Sequence, residues 1–568
     1  MRKLTTTLAL MLLSSHLLFS QESFPQYASP LDIPIYLSAT FGELRTNSFH
    51  AGLDIKTQGV EGKNVYAVAD GYVSRIGVSP YGYGNVIYIT HYDGYTTVYG
   101  HLQRFNSDIA AFVKSYQYSH KTFAANIYPD KSKFPVKKGD LIGFSGNTGG
   151  SGGPHLHFEI RHTGSEKPVN AMYFGYKISD DVKPTVTGLS VYPLELSTVE
   201  GANKNIYMKV SGTNGNYTPE RQYIKANGKI AFGICCHDQV GTSTNKNGPF
   251  SYELFVNDTL RFKMKCDSFS YSEPKYINSL IDYAHWKRSG NRYVRTEVDK
   301  HNKLSMYELK KGIVSIDEGD TVAISYRVSD YMGNTSRVDF CLVGDSITDV
   351  NPPEMSRSHY LVKGDGSLNS TVSLDGLKVT AEKGTFFRDT FVKVAALTDS
   401  TSKGCASRTF QYGEWDMTTF KQLKVKLRPD ERWACDKRLY VAHIENGKTT
   451  SLGGKLVDGW VVTDTRTMGI YVLKIDSVAP RITPINFKNE SDVSKLKALK
   501  LTITDDMTGI KSYNMYLNDK WVLGQYDAKN SLLYYEIDER MKPGTNSLKV
   551  VVRDDAGNEK VYKATVNR

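Results

Sequence analysis

The sequence predicts a mainly β chain, in which an N-terminal antiparallel β domain with a helical insertion is followed by three β-sandwich modules of immunoglobulin-like type. The chain has 568 residues, more than usually fold around a single hydrophobic core, so several domains are expected. The 37 tyrosines and the recurrent alternation of valine, isoleucine and threonine favour strands. Similar stretches that begin at Asp180 and Asp476 indicate two related modules.

The N-terminus has the pattern of a secretory signal peptide over residues 1–20. Arg2 and Lys3 precede the apolar stretch 8–13, and cleavage is expected after Ser20. No cysteine follows closely, which argues against a lipoprotein anchor, and no later apolar run is long enough to span a bilayer. The mature protein is therefore expected to be exported and either soluble or peripherally held.

The first domain is predicted over residues 28–176. Between Val65 and Tyr99, short apolar alternations are separated by turns that contain glycine, which is typical of a compact antiparallel sheet. The composition of the sequence shifts after Tyr176, at Asp180-Asp181-Val182-Lys183-Pro184, so residues 21–176 are expected to fold alone.

An insertion with helical character occupies residues 103–135 of this domain. Apolar side chains recur there at the spacing of one helix face: Ile109, Phe112, Val113 and Tyr116. The pair Ser107-Asp108 could cap that helix. The helix is expected either to form a wall of a groove beside His101 or to pack on the outside of the sheet.

Three further modules are predicted at 180–348, 352–475 and 476–568. The first and last share an opening, Asp180-Asp181-Val182-Lys183-Pro184 and Asp476-Ser477-Val478-Ala479-Pro480, and an ending, Asp330-Tyr331-Met332-Gly333-Asn334 and Asp554-Asp555-Ala556-Gly557-Asn558. Tight turns between alternating strands are typical of immunoglobulin-like sandwiches. The first of the pair is long for that fold, so it is expected to carry insertions around 267–310. The middle module is predicted to be a β-sandwich of unassigned type.

Six cysteines lie outside the first domain, at positions 235, 236, 266, 341, 405 and 435. An exported chain permits disulfides, and pairing is expected within separate modules, among the first four and between the last two. Cys235 and Cys236 would point to opposite sides of a strand, so they are poor partners for each other. No Cys-x-x-Cys spacing suggests a zinc site.

The formal net charge of the chain is +11. This basic balance is compatible with an anionic polymer of the cell envelope, and equally with a merely soluble protein. No cluster of lysine and arginine interleaved with aromatic residues indicates nucleic-acid binding.

A short predicted strand at Pro154–Ile160 follows the glycine-rich loop 146–153. The period of two places His155, His157 and Glu159 on one face of the strand. Two imidazoles on one face can converge on one ion or one reacting group. Taken alone, a His-x-His pattern is equally compatible with a solvated polar strand edge.

Two earlier motifs support the first of these interpretations. His50 and Asp54 are spaced i, i+4 and share a face of a strand or a helix, and His101 lies in a β-rich segment between the two motifs. Imidazole nitrogen and carboxylate oxygen suit zinc, and three protein ligands with one water make a catalytic site. His50, Asp54 and one histidine of the later pair would supply these ligands, and the other two histidines would be free for proton transfer. For His101 alone, the alternative is a buried, hydrogen-bonded core histidine.

Jointly and in this order, these motifs resemble the lysostaphin/LytM-type zinc endopeptidases of peptidoglycan. The resemblance covers roughly residues 41–175 and includes Val65–Gly71, Tyr83–Ile87 and Val136–Gly143. It implies zinc as the cofactor. The implied metal ligands are His50, Asp54 and His157, and the implied catalytic residues are His101 and His155. Glu159, which could orient a ligand imidazole but is more often solvated at such a position, is left outside the predicted site.

The implied function is that of an exported zinc metalloendopeptidase of the periplasm or cell envelope that hydrolyses peptide cross-links of peptidoglycan. A D-Ala–diaminopimelate link or a similar one is favoured over a glycine bridge. Two alternatives stay open: a non-catalytic scaffold or activator of another cell-wall hydrolase, and a secreted protease that acts on proteins. Envelope proteins are possible partners of the C-terminal β modules.

Overall fold

Residues 24–346, 356–398 and 404–568 are described by a computed structural model. The chain is mainly β, as predicted, with a peptidase-like sheet domain at its N-terminus and further β modules after it. The strands of the first domain are β1 (Leu37–Ala39), β2 (Leu44–Arg45), β3 (Ser48–Phe49), β4 (Leu53–Lys56), β5 (Asn64–Tyr66), β6 (Gly71–Val78), β7 (Asn85–His91), β8 (Tyr95–Leu102), β9 (Arg104–Phe105), β10 (Ala125–Ile127), β11 (Pro135–Val136), β12 (Leu141–Phe144), β13 (His155–His162) and β14 (Pro168–Val169).

The main sheet of the first domain has the order β1-β4-β13-β8-β7-β6-β10, and its neighbouring strands are antiparallel. β13 therefore lies between β4 and β8, which carry the earlier motifs. Its apolar side chains Leu156, Phe158 and Ile160 are fully buried in the domain core. A smaller sheet, β5-β12-β9, and the hairpin β2-β3 complete the domain. The alternation of the sequence thus gives β13 one apolar face and leaves its other face for polar groups.

The predicted helix of the insertion is present as α1 (Ser107–His120). Its N-cap is Asn106, whose side chain accepts a hydrogen bond from the backbone N–H of Ile109, so the predicted cap at Ser107-Asp108 is wrong by one position. Ile109 and Val113 are buried in the domain core, whereas Tyr118 on another face stacks edge-on against Trp521 of the last module. The helix therefore packs between the first sheet and the last module, and a role as a groove wall stays a prediction.

The second module is built on one twelve-stranded sheet in which the long strand β19 pairs with β15 near one end and with β26 near the other. Because β15, β17, β18 and β26 are also paired in that order, the hydrogen bonds form a closed circuit through β19. The strands are β15 (Thr185–Pro193), β16 (Thr198–Val199), β17 (Ile206–Thr213), β18 (Asn216–Pro219), β19 (Tyr223–His237), β20 (Ser251–Val256), β21 (Thr259–Lys265), β22 (Val294–Arg295), β23 (Tyr307–Lys310), β24 (Val314–Ile316), β25 (Thr321–Ser329) and β26 (Thr335–Gly344).

Two short helices, α2 (Ile277–Leu280) and α3 (Tyr283–Ser289), lie in the stretch 267–310 where insertions were predicted. The assignment of this module as immunoglobulin-like stays a prediction.

Each of the last two modules has two sheets around a shared core. The third module contains β27 (His359–Val362), β28 (Thr371–Leu374), β29 (Leu377–Thr380), β30 (Thr390–Ala396), β31 (Phe410–Tyr412), β32 (Leu423–Leu427), β33 (Leu439–Glu445), β34 (Lys448–Ser451), β35 (Lys455–Val457), β36 (Trp460–Thr465) and β37 (Gly469–Ile475). The fourth contains β38 (Arg481–Pro484), β39 (Ser491–Asp492), β40 (Ala498–Thr504), β41 (Ile510–Leu517), β42 (Lys520–Val522), β43 (Gln525–Asp527), β44 (Leu532–Glu536), β45 (Thr545–Asp554) and β46 (Glu559–Asn567).

The first domain shares apolar contacts with the second module. Phe41 and Phe49 are buried in the core of the second module, where both rings pack against Phe269. The prediction that residues 21–176 fold alone stays a prediction, and this shared core identifies the surface that a truncation would expose.

All six cysteines are free thiols in the structure, so the predicted disulfides within modules are wrong. Their spacing in the sequence could not show this, because a disulfide needs side chains that meet within a few ångströms. The predicted signal peptide and the predicted boundary between 348 and 352 lie outside the described residues. In the part of the chain that is described, no helix has the length and apolar character needed to cross a bilayer.

Candidate metal centre

The polar face of β13 organises the site. Residue His157 is in register with Asp54 on β4 and with Gly100 on β8, next to His101. A Cβ at position 100 would lie 3.2 Å from the ring of Tyr83, closer than ordinary contact, so glycine leaves room for that ring beside His157. Strand pairing therefore brings three motifs, which are far apart in sequence, onto one face of the sheet.

Three buried side chains converge on one point. His50 Nε2 lies 3.0 Å from Asp54 Oδ1, and His157 Nδ1 lies 2.8 Å from the same oxygen. The two imidazole nitrogens are 3.1 Å apart. All three residues are at least nine-tenths buried. This is the arrangement expected of ligand atoms that share one ion.

The outer ring nitrogens of the two imidazoles fix how these rings are protonated. His50 Nδ1 lies 2.8 Å from the carbonyl oxygen of Thr40, and His157 Nε2 lies 2.8 Å from Glu159 Oε1. Because both partners are acceptors, each of these nitrogens must donate. In the neutral rings the lone pairs of His50 Nε2 and His157 Nδ1 then face each other and the Asp54 carboxylate.

Three acceptors that face one another need a positive charge between them, either a proton or a metal ion. Burial opposes a charge on His157, but the hydrogen bonds with Asp54 and Glu159 outweigh burial and raise its pKa to about 9. Burial would raise the pKa of Asp54, yet His50 and the hydrogen bonds from the surrounding histidines hold it well below its ordinary value. The site therefore favours a positive charge, and two imidazole nitrogens with one carboxylate oxygen fit zinc.

The remaining two predicted residues flank this cluster. The imidazole rings of His101 and His155 have centroids 4.8 Å apart, and His155 Nε2 lies 3.5 Å from Asp54 Oδ1. His101 Nδ1 donates to the carbonyl oxygen of Thr148, and His155 Nδ1 donates to that of Gly153, each at 2.8 Å. Both carbonyls belong to the glycine-rich loop, which thus turns the opposite nitrogen of each ring away from the loop.

His101 combines an unusual backbone with a poorly protonated ring. Its φ is +59°, in the left-handed region that residues other than glycine seldom adopt. Such strain persists only where the surroundings hold it, and it concentrates at functional sites. Burial, together with the neighbouring histidines His157 and His155, lowers the pKa of His101 to about 3. His101 is therefore a neutral imidazole, able to accept a proton.

Glu159 contacts the cluster directly, although the sequence analysis left it outside the predicted site. Its carboxylate is fully buried and accepts hydrogen bonds from His157, Arg161 at 2.8 Å, Tyr83 and Tyr271 at 2.7 Å. Burial would raise its pKa, but Arg161 and these donors hold it well below the ordinary value. The only sequence signal was the position of Glu159 on the same strand face as His157.

Arg45 is a second residue that the sequence analysis missed. It lies on the hairpin β2-β3, and its Nη2 donates to Asp54 Oδ2 at 2.7 Å. Asp54 therefore directs one oxygen to the imidazoles and the other to a cationic side chain. No sequence pattern distinguished Arg45 from any other hairpin arginine.

The last module also reaches the site. Lys529 donates to the carbonyl oxygens of Asn147 and Ser151, the latter at 3.1 Å, in the loop that orients His101 and His155. Asp538 of the same module forms an ion pair with Lys114 of α1 at 3.1 Å. The loop beside the site is thus held from both its own domain and the end of the chain.

Comparisons with known proteins match two parts of the chain. Peptidase family M23 matches residues 48–119 and 117–171, and a Zu5-like domain matches residues 367–476, within the third module. The M23 match spans all five predicted site residues.

Three relatives resemble this N-terminal part. DD-carboxypeptidase/endopeptidase Mpg of Neisseria meningitidis serogroup B is 35% identical over 22% of this chain and 23% of its own length. Peptidoglycan DD-endopeptidase ShyA of Vibrio cholerae is 33% identical over 27% of this chain and 30% of its own. Murein hydrolase activator NlpD of Escherichia coli is 33% identical over 24% of this chain and 28% of its own.

The chain thus spans less than a third of the length of each of these relatives. All three similarities concern a stretch of the size of the M23 match. The predicted resemblance is confirmed by these matches together with the fold of the N-terminal sheet. The first domain of this chain belongs to peptidase family M23.

Proposed function

We propose that this protein is an exported zinc metalloendopeptidase that hydrolyses peptide cross-links of peptidoglycan in the periplasm or cell envelope. The observation that carries the proposal is that all five predicted groups meet at the polar face of β13, where the outer ring nitrogen of each of the four histidines is already hydrogen-bonded. In this proposal His50, Asp54 and His157 hold zinc. The predicted signal peptide and the cell-wall relatives Mpg and ShyA support the substrate and location.

The chain's own residues supply proton transfer and orientation. When bound, zinc would supply a Lewis acid that acidifies a water and polarises a peptide carbonyl. His101 or His155 would take the proton from the attacking water, and the other, in its protonated form, would donate a hydrogen bond to the developing oxyanion. Glu159 would keep the His157 ring in the orientation that presents Nδ1, and Arg45 would keep Asp54 ionised.

The test is incubation of the zinc-loaded protein with purified peptidoglycan, followed by mass analysis of the released fragments. We expect cross-linked dimers to decrease and monomers with a new free amine to increase, because hydrolysis adds one water to each cleaved link. Incubation with an unfolded protein substrate under the same conditions distinguishes a general protease. Loss of cross-links only after a second cell-wall hydrolase is added would instead favour the activator.

The activator is retained as the second candidate because NlpD, a murein hydrolase activator, is among the relatives. The complete cluster of ionisable groups favours catalysis over this role. An activator needs a surface for a partner enzyme, but it does not need a neutral imidazole beside three converging ligand atoms.

Glu159 gives a prediction specific to this site. Glu159→Gln should weaken zinc binding by about 10–100-fold, because the carboxylate that accepts from His157 Nε2 is replaced by a neutral amide. It should also cost roughly 3–5 kcal/mol of folding stability, because Arg161 would remain buried without its main counter-charge. Chelator competition and thermal unfolding measure the two effects.

Glu166→Gln is the matched control for that experiment. Glu166 also contacts Arg161, at 3.1 Å, but its side chain is 57% exposed and touches no site histidine. We expect zinc affinity and stability close to those of the wild type. Equal zinc affinity in the two variants would exclude Glu159 from the support of the centre.

A further inference from the structure

A second group of acidic residues lies where the second module meets the first domain. Asp180 precedes β15, Asp238 follows β19 and Asp330 follows β25, and one carboxylate oxygen of each lies within 4.8 Å of the others. They line a cavity of about 40 Å³ together with side chains of the first domain, including Leu37 and Asn170. A cavity of that size has room for an ion or for more than one water.

Asp238 has no partner that compensates its charge. The residue is 2% exposed, and its Oδ1 is buried without a hydrogen bond. Burial and the charges of Asp330 and Asp180 raise the pKa of Asp238 to about 7, against a smaller opposing contribution from the backbone amide of Gln239. In the described part of the chain, no lysine or arginine is among the main charges acting on Asp238 or Asp330. A buried carboxylate without a counter-charge is costly.

Asn247 adds a second polar group without a partner. Its backbone exchanges two hydrogen bonds with that of Asp238, each at 2.8 Å. Its side chain is 2% exposed, and neither its amide oxygen nor its amide nitrogen has a hydrogen bond. Buried side-chain amides normally bind protein or water, so the Asn247 amide is a polar group beside Asp238 that the protein itself does not pair.

The last module provides an internal comparison. Asp476 and Asp554 occupy the places of Asp180 and Asp330 in the repeated opening and ending, and together with Asp505, which follows β40, they also converge within 4.8 Å. There, however, Asp505 Oδ2 accepts from the backbone N–H groups of Met507 and Gly509, at 3.1 and 2.8 Å. Thr508 donates to Asp476 with both its backbone N–H and its hydroxyl. The last module thus gives Asp505 two backbone donors, whereas Asp238 Oδ1 in the second module has no hydrogen bond.

We propose that Asp180, Asp238 and Asp330 bind a Ca²⁺ ion at the junction between the first domain and the second module. All three donors are carboxylates, and a site made of oxygen ligands suits a hard cation better than zinc. Calcium accepts six to eight oxygens in flexible geometry, so waters in the cavity can complete its coordination. The ion would link the first domain to the second module, which carries Tyr271, the donor of a hydrogen bond to Glu159.

The experiment measures thermal unfolding of the full chain, loaded with zinc, during a titration with CaCl₂. We expect the unfolding midpoint to rise and to saturate at about 1 mM Ca²⁺ or below, as for extracellular calcium modules. Asp238→Asn removes the charge that needs the ion, so this variant should fold without calcium and lose the calcium-dependent rise. Calorimetric titration should give about one calcium per wild-type chain and none at this site in the variant.

Asp505→Asn is the matched control, because Asp505 belongs to the corresponding triad of the last module and has two backbone donors. It should retain the full calcium-dependent rise. No rise in the wild type, or the same rise in Asp238→Asn, would overturn the proposal. An equal rise with MgCl₂ at the same concentrations would overturn the choice of calcium.

Discussion

Replacing His50 or Asp54 by alanine is expected to abolish zinc retention and cross-link cleavage together. Each change removes one of three converging ligand atoms, and a centre with two protein ligands binds too weakly to survive dialysis. Asp54→Ala also leaves Arg45 facing the two imidazoles without its carboxylate partner. The measurements are zinc per chain after dialysis and the rate of loss of cross-linked dimers.

His162→Ala is a suitable control for these variants. His162 lies at the far end of β13, where its ring packs against Tyr95 with centroids 4.9 Å apart. It should retain zinc and activity. Full zinc occupancy in either His50→Ala or Asp54→Ala would remove that residue from the set of ligands.

His101→Ala is expected to retain zinc but to lose about 10²–10⁴-fold in hydrolysis, because a positioned acid–base group is removed while the three ligands stay. His101→Asn is the companion variant, since asparagine tolerates the left-handed backbone at this position better than alanine. Both variants should lose activity to a similar degree. This separates the chemistry of the imidazole from strain in the backbone.

The same experiment separates an enzyme from an activator. A non-catalytic activator has no hydrolysis to lose, and its effect on a partner hydrolase would survive His101→Asn. Rates equal to the wild type in both variants would remove His101 from catalysis. Absence of cleavage by the wild type across metals and pH would favour the activator.

That the five predicted residues lie close together could be predicted from the sequence, because each belongs to a short motif whose residue types suit one metal centre. What surrounds them could not be found in this way. Glu159 was visible on the correct strand face, but whether it is buried or solvated depends on Tyr271, which comes from another module. Arg45 was missed because only the fold of a two-strand hairpin brings it to Asp54.

In the fold too, features set by neighbouring residues could be predicted, and features set by contacts between distant strands could not. Alternation predicted the strands, and helical spacing predicted α1, because both patterns depend on neighbours in the sequence. The disulfide prediction failed because pairing depends on distances set by the register of distant strands. The closed circuit through β19 was not foreseen, since one long strand that joins two parts of a sheet has the same alternation as any other strand.

The hydrogen bond from Tyr271 to Glu159 has a consequence for when the candidate metal centre is completed during synthesis of the chain. A nascent chain that has emerged only to residue 176 holds every predicted ligand but lacks the phenol that closes the shell around the Glu159 carboxylate. At roughly 5–20 residues per second, Tyr271 is added about 5–20 s after residue 176. The hydrogen-bond shell of Glu159 is therefore complete only after the next module has begun to fold, when much of the chain has left the ribosome.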